Sequence, residues 1–421
     1  MAQSNTSPAS KAKFSDFEQD IIEGLLSGKP LAGKDGVLAD LIGFVAEKVM
    51  DAELSEHLRQ EAESLDEARQ ERSKNRRNGK APKTLTTDFG PTKISPSRDR
   101  NGTFESTLVP KWQRGLSHNL DQQILSLYAR GSSYQDISDH LQELFGHKLS
   151  KASISSIVDE VWPRVLEFQQ RPLESFYVAV FMDAIHFKVR LEGQSTSVAV
   201  YLFYGVDKLG NRDILTLHVG NGAEGASTWS VLTEELKERG VEDVLVFISD
   251  GLSGTREVLE HHFPKSDQQR CIVHKIRNSM LGIPYKDRKA VAKGLRTIYT
   301  ATDESAALLA LEDFEAAWPK YPHVGRTWRK DWSELMNFMK YGPALRRLIY
   351  TTNALENVNR QLRRATKSKG SWTNNRSLTI QLFLVIDASR KSWGKQVFNF
   401  AAVQRELIEV HNQRYLKWLE N

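Results

Sequence analysis

The spacing of hydrophobic positions changes several times along this chain and divides it into regions. From Phe14 to about Glu71, apolar residues recur every three or four positions, as in VLADLIGFVAEKVMDAELSEHL, which predicts amphipathic helices. The next stretch is interrupted by Gly and Pro and predicts short strands and turns. Helical spacing then returns in three short segments, at residues 120–130, 133–145 and 150–161.

These three segments resemble a helix-turn-helix module. Asp136 is placed to cap the second helix together with Ser133, and the residues GHKL form a turn before the third. Such a module reads DNA with its last helix in the major groove, although three helices packed only for stability would show the same pattern. The basic residues upstream favour DNA binding, and we expect Arg76, Arg77 and Lys151 to contact DNA.

From Phe176 the pattern changes to that of strands. Three apolar runs, YVAVFMDAIHFKVR, TSVAVYLFYGVD and RDILTLHV, follow one another across short turns and predict an antiparallel meander. A helix, the apolar strand VLVFIS, a helix from Ser253 and the strand QQRCIV come next, ahead of the helical HKIRNSML. Three antiparallel strands, a helix and a strand that ends in an acid match the order of a ribonuclease H-like core.

Residues 278–347 return to helical spacing and carry Trp318, Trp328 and Trp332 among basic residues. A ribonuclease H-like core does not require these helices, so they predict an all-α insertion. Tryptophans at helical spacing lie more often in a core than on a DNA surface, and we expect the same here.

The predicted fold class is therefore α/β, with a ribonuclease H-like mixed-sheet catalytic core interrupted by an all-α insertion. Helical and helix-turn-helix DNA-binding regions precede the core. Residues 1–73 are predicted to form a disordered start and helices that serve oligomerisation or pack locally, and residues 74–165 to form the basic strands and the helix-turn-helix. The two parts of the core are predicted at residues 166–277 and 348–395, with the insertion between them at residues 278–347. Residues 396–421 are predicted to form a C-terminal helical tail.

Two aspartates occupy positions where a charge is costly. Asp183 lies within one apolar strand and Asp250 at the end of another. An ionised side chain in such surroundings needs a counter-charge, and a metal ion is the natural one. A chain with 53 acidic residues offers many carboxylate triples, so ordinary solvated side chains are the competing interpretation. The apolar context of both aspartates argues against it.

A third carboxylate, Glu356, is followed by cations at helical spacing. Arg360, Arg363 and Lys367 lie four, seven and eleven residues later and, at about 100° per residue, return to nearly the same helical face. A solvated, salt-bridged helix would carry interspersed acids, and none occurs before Gly370. Unpaired cations beside a carboxylate suit a site in which a metal holds one phosphate and the cations hold its neighbours.

Charge and cysteine content narrow the class of protein. The net charge is +5, but residues 14–71 hold fifteen acids and five bases, whereas residues 74–114 hold ten bases and three acids. The second stretch is therefore a candidate polyanion surface. A single cysteine excludes an internal disulfide framework. No run of eighteen apolar residues and no apolar leader occurs, so we expect no membrane partner and a cytoplasmic, nucleoid-associated protein.

Six motifs occur in order along the chain. They are RNG at Arg77 followed by KT at Lys83, LYARG at Leu127, FMDAIH at Phe181, RGVEDVLVFISDGLSG at Arg239, QRCIVHKIRNS at Gln269 and IYTTNALENVNRQLRR at Ile349. Together they resemble the bacterial Mutator-type insertion-sequence transposases over about residues 75–395. The resemblance implies an Asp-Asp-Glu catalytic core, split by a helical insertion, and carries the triad over to Asp183, Asp250 and Glu356.

That family also has a Cys-x-x-His pattern, which Cys271 and His274 match. One thiol and one imidazole are too few for a closed zinc site, and we expect Cys271 to be a buried residue in a strand. His274 lies beside Lys275 and Arg277 at a strand-to-helix junction, where we expect phosphate contacts. Trp372 stands where relatives often have a Phe-Pro pair, and it either supplies the same apolar contact or stacks on a base.

The predicted reaction is cleavage and joining of DNA strands. Two Mg²⁺ ions about 3.5–4 Å apart can activate the nucleophile and stabilise the leaving oxygen, and three carboxylates suffice as protein ligands. We expect Mn²⁺ to substitute. The expected partners are double-stranded DNA, as terminal inverted repeats and as target, and a second copy of the chain in a homodimer. A non-catalytic DNA-binding regulator and a structure-specific nuclease without strand transfer remain as alternatives.

Overall fold

The computed structural model describes residues 18–33, 35–63, 75–87, 89–111, 118–145, 148–191, 193–222, 225–251, 254–350, 353–367 and 369–419. These residues form helices and a mixed sheet, so the α/β class is confirmed. The chain divides into two compact units, one of residues 1–128 with 132–158 and one of residues 129–131 with 159–421.

The first unit begins with a helix and two small antiparallel sheets. A helical segment at residues 18–26 precedes α1 (Val37–Glu63), β1 (Arg77–Lys80), β2 (Lys83–Thr87), β3 (Gly90–Ile94) and β4 (Ser97–Asp99). Strand β1 pairs with β4, and β2 pairs with β3. Short strands separated by turns are what the Gly- and Pro-interrupted pattern predicts.

Helix α1 buries one face against these strands. Ala46 and Met50 of the helix form one core with Leu85, Ile94 and Val109. A predicted boundary at residue 73 therefore separates segments that pack together. A helix within a protein gains most of its stability by packing its apolar face on a partner. The two sheets provide that partner for α1.

Three helices follow close to their predicted positions. They are α2 (His118–Ala129), α3 (Tyr134–Phe145) and α4 (Lys151–Asp159). Ser133 and Asp136 exchange hydrogen bonds between side chain and backbone at 2.9 and 3.1 Å, which confirms the predicted capping pair. Ser150 accepts a hydrogen bond from the backbone of Ser153 at 3.0 Å and caps α4. Residues 146–147, within the predicted GHKL turn, lie outside the described residues.

The second unit is built on a five-stranded mixed sheet. Its strands β5 (Phe176–Leu191), β6 (Gln194–Asp207), β7 (Arg212–Val219), β8 (Asp243–Ser249) and β9 (Asp267–Arg270) lie in the order β7-β6-β5-β8-β9. The first three pair antiparallel, as the predicted meander requires. Strand β8 runs parallel to β5, and β9 runs parallel to β8.

Helices α5 (Trp162–Gln170), α6 (Ala226–Glu238) and α7 (Thr255–His262) belong to the same unit. Trp229 of α6 is fully buried on the sheet, where it stacks on Phe203 with ring centroids 5.6 Å apart and meets Tyr201 edge-on at 4.7 Å. Such aromatic pairs contribute about 0.5–1.5 kcal/mol each beyond the burial of area. The core of the sheet is therefore held by large aromatic side chains.

The region predicted as an insertion is helical. It contains α8 (Ile272–Ser279), which begins before it, α9 (Tyr285–Tyr299), α10 (Glu304–Ala317), α11 (Pro322–Lys330), α12 (Trp332–Met336), a 3-10 turn (Asn337–Lys340) and α13 (Pro343–Tyr350). Trp328 is fully buried and donates its indole N–H to the Ser279 hydroxyl at 2.9 Å. The expectation of a core tryptophan is confirmed there, while Trp318 and Trp332 are half-buried.

The chain ends with α14 (Asn353–Thr366), α15 (Asn375–Trp393) and α16 (Phe400–Leu419), which is kinked at His411. Helix α16 lies in the region predicted as a C-terminal helical tail, and it packs against the sheet. Trp418 stacks on Phe176 of β5, and Arg414 donates two hydrogen bonds to Asp243 at 2.6 and 2.9 Å. Within the described ranges, no helix is both long and apolar enough to cross a membrane.

Candidate active site

Asp183 within β5 and Asp250 just after β8 lie at corresponding positions of two neighbouring parallel strands. In the register of β5 and β8, Phe181 lies opposite Ile248, and each aspartate follows two residues later. Neighbouring strands are about 4.8 Å apart, so this register brings the two acids close together. Asp183 is only 5 % exposed, and Asp250 is half-buried.

The surroundings of Asp250 disfavour its charged form. Burial is the main cause that raises the pKa of this carboxyl, His274 lowers the pKa, and the charge of Asp183 raises it further. Oδ1 of Asp250 is buried and has no hydrogen-bond partner among the described residues. Gly251 follows with a φ of 83°, and a Cβ there would lie 2.6 Å from the Arg270 guanidinium, so this turn requires glycine.

Helix α14 brings the third carboxylate and an amide to the same place. Glu356, in the first turn, accepts a hydrogen bond of 2.6 Å from the Arg277 guanidinium of α8. Asn359, one turn later, donates its side-chain amide to Oδ2 of Asp183. Asp183, His274, Glu356 and Asn359 line one small cavity.

The three carboxylates do not form a finished metal site in this arrangement. Within the part of the chain that the structure describes, no three His, Cys, Asp or Glu side chains are placed to hold one ion. Glu356 is paired with Arg277, and Asp183 accepts from Asn359, so both carboxylates are engaged by donors of the protein. A two-ion site stays a prediction.

A groove of about 540 Å³ opens beside Glu356. Its lining consists of Arg277, Glu356, Asn357, Asn359, Arg360 and Arg363. Arg360 and Arg363 are exposed, and they share the groove with the carboxylate as the offsets of four and seven predict. Lys367 is also exposed, but it lies beyond the groove at the end of the helix.

Lys275 is not placed to contact a phosphate, and that prediction is corrected. The side chain is 8 % exposed, and its ammonium donates to Asp331 at 2.5 Å and to the carbonyl oxygen of Thr327 at 2.7 Å. Lys275 faces inward because it lies on the buried side of α8 with Ile272 and Ser279, toward the insertion helices. It therefore joins α8 to the helical insertion.

Comparison with known proteins agrees with the motifs. The family model described as Transposase, Mutator family, matches residues 17–396. The chain belongs to this family.

The names of three relatives of this transposase refer to insertion sequences. The "Transposase for insertion sequence element ISRM3" of Rhizobium meliloti (strain 1021) is 38% identical over 404 residues, which cover 95% of this chain and 99% of the relative. The "Probable transposase for insertion sequence element ISRM3-like" of Sinorhizobium fredii (strain NBRC 101917 / NGR234) is 37% identical over the same coverage. The "Transposase for insertion sequence element IS905" of Lactococcus lactis subsp. lactis (strain IL1403) is 31% identical, with 73% and 78% covered.

The other predicted DNA contacts of the transposase lie in the first unit. Arg76 is exposed, and Lys151 is exposed in the first turn of α4. Arg77 is half-exposed, but it pairs with Asp51 of α1 at 3.4 Å and donates to Ser55 at 2.7 Å. The acidic helix thus neutralises part of the basic stretch, because the two segments pack together.

Trp372 supplies an apolar contact and does not stack on a base. It is 2 % exposed, packs edge-on against Phe187 at 5.6 Å and donates its indole N–H to Gln381 at 2.8 Å. Its backbone also bonds to that of β5, from Trp372 to Lys188 at 3.0 Å. Of the two roles considered for this residue, the buried one is therefore confirmed.

Cys271 is buried, as expected, but it lies at the start of α8 rather than in a strand. Burial is the main cause that raises the pKa of its thiol to about 12. Because the thiolate is the reactive form, we expect no labelling of the folded transposase by a thiol reagent at pH 8 and one labelled thiol in denaturant. Rapid stoichiometric labelling of the native protein would contradict this placement.

Asn359 is the site residue that the sequence patterns did not single out. Its position could have been inferred, since it lies three residues after Glu356 and therefore near the same helical face. As a neutral amide, however, Asn359 does not add to the pattern of charges on that face. Its partner, Asp183, lies 176 residues away along the chain.

Proposed function

We propose that this transposase binds the ends of an insertion sequence, cleaves DNA there and joins the ends to target DNA, using Asp183, Asp250 and Glu356. The observation that carries the proposal is the parallel register of β5 and β8, which brings two acids together where α14 supplies the third. The strand order β7-β6-β5-β8-β9 supports a ribonuclease H-like core, with α9 to α13 as its helical insertion.

The donor set fits a hard divalent cation. Carboxylate oxygens are the ligands that Mg²⁺ prefers, and the buried Oδ1 of Asp250 has no partner within the described residues. Two Mg²⁺ ions, or Mn²⁺ in their place, would supply nucleophile activation and charge stabilisation at the leaving oxygen. Asp183 and Asp250 would hold the cation, and Glu356 would join them after releasing Arg277.

The surrounding residues of the chain would bind and orient the DNA. Arg360 and Arg363 present exposed guanidinium groups along the groove, and such groups hold phosphates in a bidentate manner. Arg277, once free of Glu356, adds a third cation at the same groove. His274 lines the cavity, and its buried Nδ1 lacks a partner among the residues described, so it can hydrogen-bond to the reacting group.

Recognition of the DNA ends is assigned to the first unit. Helices α2 to α4 would form a helix-turn-helix, with α4 in the major groove and the basic strands on the phosphate backbone. Two DNA ends must be held for joining, which favours a homodimer acting at the bacterial nucleoid.

A strand-transfer assay tests the proposal. Labelled element ends, target plasmid and Mg²⁺ should yield joined products when incubated with the full-length protein. Cleaved ends without any joined product would instead identify a nuclease. End binding without cleavage, at any Mg²⁺ or Mn²⁺ concentration, would identify a DNA-binding regulator.

We expect Arg363→Ala to slow single-turnover cleavage about tenfold or more, because a charge-assisted phosphate contact is worth roughly 1.5–3 kcal/mol. Arg363→Lys should recover part of the rate, since it keeps the charge and loses the planar fork. Arg364→Ala is the matched control, because Arg364 is exposed on the same helix and lies outside the groove. Equal cleavage rates for the Arg363 and Arg364 variants would show that the groove does not contact DNA during cleavage.

We expect Lys151→Ala to weaken binding to element ends and to reduce the slope of log affinity against log salt by about one, as the loss of one phosphate contact requires. Fluorescence anisotropy at several salt concentrations measures both quantities. Because a phosphate contact is not base-specific, binding to random duplex should weaken by a similar factor. An unchanged slope would place α4 away from the DNA.

A further inference from the structure

The carboxylate of Asp183 is held by two donors from different parts of the fold. Its Oδ1 accepts from the backbone nitrogen of Ala184 at 3.0 Å, and its Oδ2 accepts from the Asn359 side chain. The first donor belongs to the same strand, whereas the second belongs to α14. The Asn359 amide therefore links the strand that carries the first carboxylate to the helix that carries the third.

Helix geometry turns this hydrogen bond into a constraint on Glu356. Residues three apart on a helix lie about 60° apart around the axis and about 4.5 Å apart along it. The adjacent face of α14 is anchored by the buried side chains of Leu355, Val358 and Leu362. With its apolar face fixed and Asn359 bound to Asp183, the helix presents Glu356 at one distance from Asp183.

The oxygen of the Asn359 side-chain amide has no hydrogen-bond partner among the described residues. This atom, Oδ1, is buried, as are Oδ1 of Asp250 and Nδ1 of His274, and none of the three has a hydrogen-bond partner among the described residues. Asn359 and His274 line the cavity that contains Asp183. An unsatisfied buried polar group is costly to a fold, so the unpaired atoms of Asn359 and His274 in one cavity indicate that a polar group or cation enters when the site is loaded.

We infer that Asn359 is a positioning residue of the reaction: its nitrogen fixes Asp183 and thereby the spacing to Glu356, and its oxygen accepts a hydrogen bond from a water or hydroxyl group of the loaded site. This inference rests on the proposed function, because it assigns Asp183 and Glu356 to the metal ions. It adds a fourth residue, neutral and supplied by α14, to the three carboxylates.

Asn359→Ala and Asn359→Asp test the inference, with Gln361→Ala as the control. Gln361 carries an amide on the same helix, outside the cavity and the groove. In single-turnover cleavage, Asn359→Ala should need about tenfold more Mg²⁺ for its half-maximal rate, the size expected for one hydrogen bond to a charged group. Gln361→Ala should match the wild type in both rate and Mg²⁺ requirement.

A second measurement does not depend on activity. The melting temperature of each full-length protein is measured without metal and with increasing Mn²⁺. Asn359→Asp keeps the shape of the side chain but sets a second carboxylate against Asp183, so it should melt lower than wild type without metal. Because Mn²⁺ would screen this repulsion, its melting temperature should rise more on Mn²⁺ addition than that of the wild type.

Parallel assays of Asp183→Asn separate the inference from the proposed function. Loss of cleavage in Asp183→Asn, with an unchanged Mg²⁺ requirement in Asn359→Ala and a wild-type Mn²⁺ response in Asn359→Asp, would overturn the role of Asn359 alone. Wild-type cleavage by Asp183→Asn would overturn the proposed site itself. If Asn359→Ala does not fold, the Mn²⁺ response of Asn359→Asp decides the inference: a larger gain supports it, and an equal gain overturns it.

Discussion

Asp183→Asn is expected to abolish strand cleavage, as are Asp250→Asn and Glu356→Gln, each by about a thousandfold or more. Each change keeps the shape of the side chain and removes the charge, and loss of a metal ligand removes several kcal/mol of transition-state stabilisation. Single-turnover cleavage of a labelled element end in Mg²⁺ measures the loss. Wild-type cleavage by any one variant would exclude that residue from the site.

End binding provides the control for these variants. We expect wild-type affinity for element ends, because recognition is assigned to α2 to α4 and the basic strands of the first unit. Asp313→Asn is the matched variant, since Asp313 is an exposed carboxylate on α10, outside the cavity and the groove. It should retain both binding and cleavage. A comparable loss in Asp313→Asn would mean that cleavage responds to charge in general.

Lys275→Ala is expected to lower the free energy of unfolding of the second unit by about 3 kcal/mol. Removing one partner of a buried ion pair typically costs about 3–5 kcal/mol, because the other charge stays buried without compensation. Asp331 keeps a second partner, Arg270 at 3.1 Å, so the lower end applies. Urea titration followed by tryptophan fluorescence measures the change through the shift in midpoint.

Lys367→Ala is the matched comparison for this prediction. Lys367 is exposed at the end of α14, and its loss should leave the urea midpoint within about 0.5 kcal/mol of wild type. The two lysines therefore separate a structural role from a surface role. If a Lys275 variant kept its stability but bound DNA more weakly, the result would support the predicted phosphate contact and contradict the buried placement of Lys275.

The elements that the sequence predicted well are those with strong local patterns. The meander of β5 to β7 and the helices α2 to α4 lie close to their predicted positions, and the Ser133–Asp136 cap forms as expected. Periodicity and capping depend on residues within one or two turns of each other, so they can be read without knowing the fold.

Exposure was harder to predict than secondary structure. Lys275 and Trp372 are both buried, and α16 packs on the sheet. A lysine beside an arginine on a short helix has the same local pattern whether it faces solvent or an inserted domain. Which face is covered depends on helices that begin about ten to fifty residues later in the chain.

The sequence by itself determined which residues could carry the chemistry: one acid within an apolar strand, one at the end of another, and a third beside helical cations. Only the tertiary structure decided how they meet. The register of β5 and β8, the Arg277–Glu356 pair and the Asn359–Asp183 hydrogen bond all join residues more than sixty positions apart. Such contacts form only when the whole sheet and its helices have closed around them, so no local pattern encodes them.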